Sequence, residues 1–336
     1  MQCGVFLFTA QFPGLSHGEV LNSALEYAIT AERCGYADAW ITEHHFIPYG
    51  LCPSAATMAG FILGRTSRLR VGTAVSLLPL HHPVQLAEQA ALLDQLSNGR
   101  FNLSVGRGGP VVDLEVFGSS LERYERGLPE SIDLLLRTWT EEHVAADGEF
   151  FKFRKVSVNP RPLTRPHPPL YVACHSAKSV EVAARRGLPM LLFFHFDDEA
   201  KAALLARYAD IAQAHGHDPT RIDHVWSVVG YVADSQEAAQ QVVCTTLPPW
   251  LAASAEAYIY LRPEDSRRED VDAFLQMILQ HHPVGTPEYC IERLAKTMER
   301  TGLQHCMITL EVAGDRQRSC ENIERFATEV LAQLRH

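Results

Sequence analysis

Trp40-Ile41-Thr42-Glu43-His44-His45-Phe46 closes an apolar run that begins at Tyr36. A buried strand gives way there to an acid and two imidazoles. Reactive side chains gathered where a strand ends are the habit of an α/β barrel, whose chemistry sits at the C-terminal face. The same transition recurs twice. Residues 101–105 lead into Gly106-Arg107-Gly108-Gly109, and residues 170–174 lead into His175-Ser176.

Working outward, short apolar runs alternate with longer amphipathic ones along the whole chain. Strands are predicted over residues 5–8, 39–42, 69–78, 101–105, 170–174, 190–194, 225–232 and 306–310. They are rich in β-branched and aromatic residues and poor in charge, as parallel strands buried on both faces must be. Helices are predicted over 20–34, 54–65, 84–96, 179–186, 199–214, 287–301 and 318–334. Pro83 and Pro287 fit first-turn positions, Thr286 fits a cap, and Asn98-Gly99 fits a helix stop. The alternation predicts a (β/α)8 TIM barrel occupying residues 1–336 as one domain. A doubly wound sheet would want Gly-x-Gly-x-x-Gly after its first strand, and Thr9-Ala10-Gln11-Phe12-Pro13-Gly14 lacks it. Two stretches break the rhythm. Residues 140–169 read as a small hairpin insertion before the fifth strand. Residues 244–284, with Pro248-Pro249-Trp250 and a charged patch at 263–270, read as an excursion or lid over the barrel mouth, between strands seven and eight.

The 336 residues are 46% hydrophobic with a formal net charge of −10, which speaks against nucleic-acid binding. The eight cysteines include no Cys-x-x-Cys pair and read as reduced core residues of a cytoplasmic protein. Met1 to Phe8 has no basic leader and reads as a first strand. No uncharged run reaches membrane-spanning length. The His-His pairs at 44–45, 81–82 and 281–282 lack metal-site spacing, so no metal is expected. Neither Ser104 nor Ser176 lies in Gly-x-Ser-x-Gly.

Successive strand residues face opposite ways, so His44 and His45 cannot share one task. One fits a proton-handling role at the mouth; the plain alternative is a hydrogen-bonded core pair. Arg107 among glycines fits an anion-binding fork, or else a solvated turn. Ser176 and Ser179 open a helix, where free amides favour phosphate; ordinary capping accounts for them equally. Phe8, Phe46, Phe194 and Trp250 are candidates for an apolar substrate pocket, or for simple packing.

The chain resembles the bacterial luciferase-type flavin monooxygenases, and within them the α-subunit pattern. The matching pieces keep their order: Glu43-His44-His45-Phe46, Val71-Gly72-Thr73-Ala74-Val75, His82-Pro83, Leu92-Leu93-Asp94-Gln95-Leu96-Ser97-Asn98-Gly99-Arg100-Phe101, Gly106-Arg107-Gly108, Val116-Phe117-Gly118, Arg186-Gly187-Leu188-Pro189-Met190 and Pro283-Val284-Gly285-Thr286-Pro287-Glu288. The resemblance implies a TIM barrel that takes FMNH2 as a diffusible cofactor, adds O2 to form a flavin hydroperoxide, and oxygenates an organic substrate. It implies His44 as the catalytic histidine and Arg107 as the phosphate arginine. Glu43, Ala74, Val75, Gly108, His175, Ser176 and Ser179 fall at other flavin-site positions, with the 74–75 peptide cis in relatives. It further implies a dimer, with residues 86–93 as a candidate interface, and a separate NAD(P)H:flavin reductase as the supplier of FMNH2. Relatives of the same fold include deazaflavin-dependent oxidoreductases and non-catalytic flavin-binding subunits. Three departures stand out: His175 replaces an acid, Gly106 replaces a reactive cysteine, and the 244–284 excursion is shorter than the luciferase lid.

Overall fold

Eight short parallel strands close on themselves: β1 (Gln2–Leu7), β2 (Asp38–Ile41), β3 (Arg70–Thr73), β4 (Phe101–Gly106), β5 (Leu170–Cys174), β6 (Met190–Leu192), β7 (Val225–Val229) and β8 (His305–Thr309). This computed structural model describes residues 1–265 and 270–334. Closure is made at two seams. Val71 of β3 pairs with Phe101 of β4, and Cys3 of β1 pairs with Cys306 of β8. The helices are α1 (His17–Arg33), α2 (Ala55–Leu63), α3 (Pro83–Ser97), α4 (Leu128–Thr140), α5 (Ala177–Ala184), α6 (Asp198–Ala214), α7 (Gln236–Ala257), α8 (Val271–His281), α9 (Pro287–Thr301) and α10 (Arg316–Arg325); α7 and α8 reach the barrel mouth and the others wrap the outside. The architecture is a (β/α)8 TIM barrel, as the alternation predicts.

Strand alternation sorts the core. Along β1, Val5 and Leu7 join the layer under the helices, while Phe6 and Phe8 join the cluster inside the barrel and at its mouth. The floor of the barrel is built around Trp40, which is fully buried and meets Tyr171 edge-on at 5.2 Å. Room for that indole exists because β3 carries Gly72, where a Cβ would stand 2.5 Å from the ring. Below it, Trp40 Nε1 donates to Asp38 Oδ1 at 2.7 Å, and His305 bridges Asp38 at 2.8 Å and Asp223 at 3.3 Å. Burial alone would lower the His305 pKa, but the two carboxylates raise it to about 10.

Several boundaries differ from the sequence reading. The predicted strand 69–78 is interrupted: β3 ends at Thr73, the Ala74–Val75 peptide is cis, and Ser76–Leu77 resumes pairing with β4. The predicted strand 225–232 also divides. Tyr231–Val232 leaves the barrel and pairs with Val284–Gly285. Helix α4 falls in a stretch for which no helix was predicted. Its N-cap is Gly127, which offers no side-chain hydrogen bond, so its start is marked only by Pro129 and Glu130 in the first turn. The predicted start and stop signals elsewhere are present: Pro83 opens α3, Asn98 closes it with φ 56°, and Thr286 caps α9.

The hairpin before β5 forms from Val144–Asp147 and Lys152–Val156. The excursion after β7 is more helical than the sequence reading has it. Helix α7 runs through Pro248 and Pro249 to Ala257. A strap follows, and its charged patch includes residues 266–269, which lie outside the described residues. Val112 N–H donates to Ile259 O at 2.9 Å and Leu261 N–H to Pro110 O at 3.0 Å, so the strap is bound to the loop that follows Arg107. Among the described residues no helix is long and apolar enough to cross a membrane.

Candidate active site

Four strand ends build the mouth. β2 delivers Glu43, His44 and His45; β3 delivers Ala74 and Val75; β4 delivers Arg107 and Gly108; β5 delivers His175 and the start of α5. All lie at the C-terminal face.

The two histidines diverge. His44 is half-buried among aromatic rings, parallel to Phe8 at 6.3 Å and edge-on to Tyr49 at 5.0 Å. Its Nδ1 is sealed from solvent and has no hydrogen-bond partner among the described residues. Loss of hydration pushes its pKa down to about 4; Glu43 opposes this and His45 adds to it. The imidazole is therefore neutral across the ordinary pH range. Its seat depends on Gly50, where a Cβ would stand 2.5 Å from His44 Nδ1 and 2.6 Å from the Phe8 carbonyl oxygen.

His45 turns the other way, 3.7 Å from Glu43 Oε1 and edge-on to Phe117 at 4.8 Å. Glu43 itself is buried and fully engaged by protein. It accepts from Leu77 N–H at 3.3 Å and Ala55 N–H at 3.4 Å, and pairs with His81 Nε2 at 2.7 Å. Burial would raise its pKa, but the His45, His81 and Leu77 contacts outweigh it and hold the acid at about 2. The carboxylate thus ties the end of β2 to α2 and to the segment beyond the cis peptide.

Arg107 is half-buried, and its guanidinium lies 5.1 Å above the ring of Tyr124. Among the described residues no carboxylate pairs with it. Gly108 takes φ +70°, and a Cβ there would stand 2.9 Å from Leu77 Cδ2. Gly106 leaves room for Val75: a Cβ at 106 would be 2.7 Å from Val75 Cγ2 and 3.1 Å from Ala173 Cβ. The absent cysteine and the β-branched Val75 are thus one packing solution.

Ser176 caps α5 by accepting from Ser179 N–H at 3.3 Å. Ser179 Oγ in turn accepts from the N–H groups of His175 and Ser176, both at 3.1 Å. The exposed His175 ring lies 5.6 Å from Phe193. Capping and an anion-attracting helix start therefore coincide here.

Three of the four predicted pocket residues come together. Phe8 lies 5.9 Å from Phe194 and 6.2 Å from Trp250, lining a small chamber with Ala10 and Phe274. Phe46 does not join them. It is 57% exposed with φ 63° and stacks on Phe117 at 5.7 Å. The sequence reading passed over Glu311 and Thr309, which line this chamber, and Tyr49 and Asp113 outside it. Glu311 accepts from Phe8 N–H at 2.6 Å, and burial pushes its pKa up to about 8. Thr309 Oγ1 is buried without a partner among the described residues. Tyr49 stacks on Trp250 at 4.8 Å. Asp113, pushed up to about 6 by burial, opens the short helix Asp113–Val116 beyond Arg107. An acid two residues beyond a barrel strand was the available signal for Glu311.

The geometry presents a neutral imidazole, an unneutralised arginine, a helix start and a glycine-lined strand end around one mouth. A luciferase-like monooxygenase family model matches residues 1–305. The chain belongs to the luciferase-like monooxygenase family. Luciferase-like relatives include the alkanal monooxygenase α chains of the Kryptophanaron alfredi symbiont, 31% identical over 100% of this chain and 99% of that one, and of Photorhabdus laumondii, 33% identical over 100% and 98%. A crystal structure of monooxygenase RslO1 from Streptomyces bottropensis superposes with TM-score 0.88 at 27% identity, covering 99% of this chain and 100% of that one. The oxygenating constituent of a Pseudomonas putida 3,6-diketocamphane monooxygenase, solved with FMN, shares the fold at TM-score 0.81 and 20% identity, over 99% and 98%. The luciferase-like chain is thus an enzyme, a flavin-dependent monooxygenase by family. Among its described residues no cluster of three or more His, Cys, Asp or Glu could hold a metal ion.

Proposed function

We propose that this protein oxygenates an apolar organic substrate with O2, using reduced FMN received from a separate NAD(P)H:flavin reductase. The observation that carries the reading is the pairing, at one barrel face, of His44 and Arg107: among the described residues the buried Nδ1 has no partner and the guanidinium no counter-ion. Such groups fit a ligand with a polar planar ring at one end and a phosphate at the other.

In this reading Arg107 and the start of α5, with His175, Ser176 and Ser179, take the phosphate. Ala74, Val75 and Gly108 support the ring, and Glu43 fixes the strand ends that carry it. Bound reduced flavin would supply the two electrons that activate O2. His44, neutral and desolvated, accepts or returns a proton beside the ring. Phe8, Phe194 and Trp250 exclude water and receive an apolar substrate; Phe46 guards the outer rim. A cytoplasmic dimer completes the reading. Leu86, Ala87, Ala90 and Ala91 are buried in the core, so the apolar residues left for a partner are Phe61, Leu92 and Leu96 on α2 and α3, 61%, 48% and 76% exposed.

Anaerobic titration with reduced FMN, then exposure to labelled O2 with a panel of aldehydes and aromatic compounds, tests the proposal. Reduced FMN should bind, Arg107→Ala should weaken binding roughly tenfold to a hundredfold, and one labelled oxygen should enter a product. No affinity for FMN in either redox state would overturn it. Preferential binding of a deazaflavin would move the protein to the oxidoreductase reading.

A further inference from the structure

Cys3 and Cys306 are register partners on β1 and β8, the first and last strands of the barrel. Both thiols are buried in the layer beneath the helices, and their sulfurs stand 3.1 Å apart. We propose that this pair is a modification site, oxidised by hydrogen peroxide to a disulfide that fastens the barrel's closing seam.

The geometry meets the requirements. Neighbouring strands run about 4.8 Å apart, inside the roughly 4.4–6.8 Å Cα window that a disulfide spans. Reaching a bonded sulfur separation of about 2 Å asks for about 1 Å of approach, shared between two side chains. Both thiols point to the same side of the sheet, so no strand need twist. Peroxide is little larger than water, and Cys3 follows the exposed Gln2 at the rim of the barrel floor.

The chemistry balances with one oxidant. Peroxide oxidises the first thiol to a sulfenic acid and leaves as water. The second sulfur then forms the S–S bond and displaces the hydroxyl, which takes the thiol proton and departs as a second water. Two thiols and one peroxide give one disulfide and two waters. The cross-link closes a loop holding nearly the whole chain, the case in which a disulfide restricts the unfolded state most. The site lies at the barrel end away from His44 and Arg107, so the inference does not rest on the flavin reading.

The test treats the full-length protein with hydrogen peroxide or diamide, alkylates it after unfolding, and maps its peptides by mass spectrometry. A linked peptide joining Cys3 to Cys306 is expected, lighter by two hydrogens and restored by dithiothreitol. The oxidised form should melt about 5 °C higher than the reduced form. Cys3→Ser and Cys306→Ser should each abolish both effects, and Cys244→Ser, at an exposed position, should abolish neither. Both thiols still alkylatable once Cys244 is fully oxidised would overturn the proposal. The wild-type peptide map decides the matter even if a serine variant fails to fold.

Discussion

Gly50 and His44 show how narrow the tolerances at the mouth are. A methyl group at position 50 would press on both the His44 ring and the Phe8 carbonyl oxygen. Gly50→Ala should cost about 1–3 kcal/mol of stability in urea unfolding. It should also lower turnover more than flavin affinity, because it moves the imidazole and leaves Arg107 alone. His44 sets a second expectation. With its pKa near 4, the acid limb of kcat should fall near pH 4, not near the ordinary 6.5. A limb at 6.5 that disappears in His44→Ala would show that the ring is far better hydrated than its packing implies. The placing of an acid, two histidines and Arg107 at strand ends was legible because strand ends and glycine neighbours are local patterns, whereas the choice of His44 over His45 came from the family resemblance. Gly50 and Tyr49 were not legible. Their roles arise only when the loop after β2 folds back so that Leu51 N–H reaches Thr9 O at 3.0 Å and Gln11 N–H reaches Pro48 O at 3.1 Å.

Caps announced some elements and not others, for α7 and α8 carry Ser235 and Asp270 as capping side chains and were not predicted as helices. α3 and α9 carry proline at the start and a left-handed residue at the end, and both were predicted within about a turn. α4 also has Pro129 in its first turn, but it has no capping side chain and no left-handed stop, and it was passed over. α7 hid for the opposite reason, since Pro248-Pro249 reads as a stop although the helix continues through it. On α2 and α3, Phe61, Leu92 and Leu96 are exposed apolar side chains, and the proposed dimer would cover them. Leu96→Asp should convert a dimer to a monomer in sedimentation, with far-UV circular dichroism unchanged. Wild-type protein that sediments as a monomer would remove the dimer from the proposed function.

For the whole molecule, the barrel floor sets the response to alkali. His305 titrates near its ordinary 6.5 when unfolded and near 10 when folded, so the folded state holds the proton more tightly. Its contribution to stability is full below pH 6.5 and drains away as pH rises toward 10. Urea midpoints should fall across that window, and His305→Gln should lower the neutral-pH midpoint while flattening the fall. A variant curve parallel to wild type would assign the alkaline loss to other groups. The closed barrel was legible from eight alternations, but this floor was not, because Asp38, Asp223 and His305 come from three distant strand starts. The same closure has a consequence for biosynthesis. Of the eight barrel strands β1 is translated first, and its partner on β8 emerges 303 positions later. Throughout that interval the nascent sheet carries an open hydrogen-bonding edge that only β8 can cover, and a ribosome that stalls before β8 would leave behind a chain primed to stick to its neighbours.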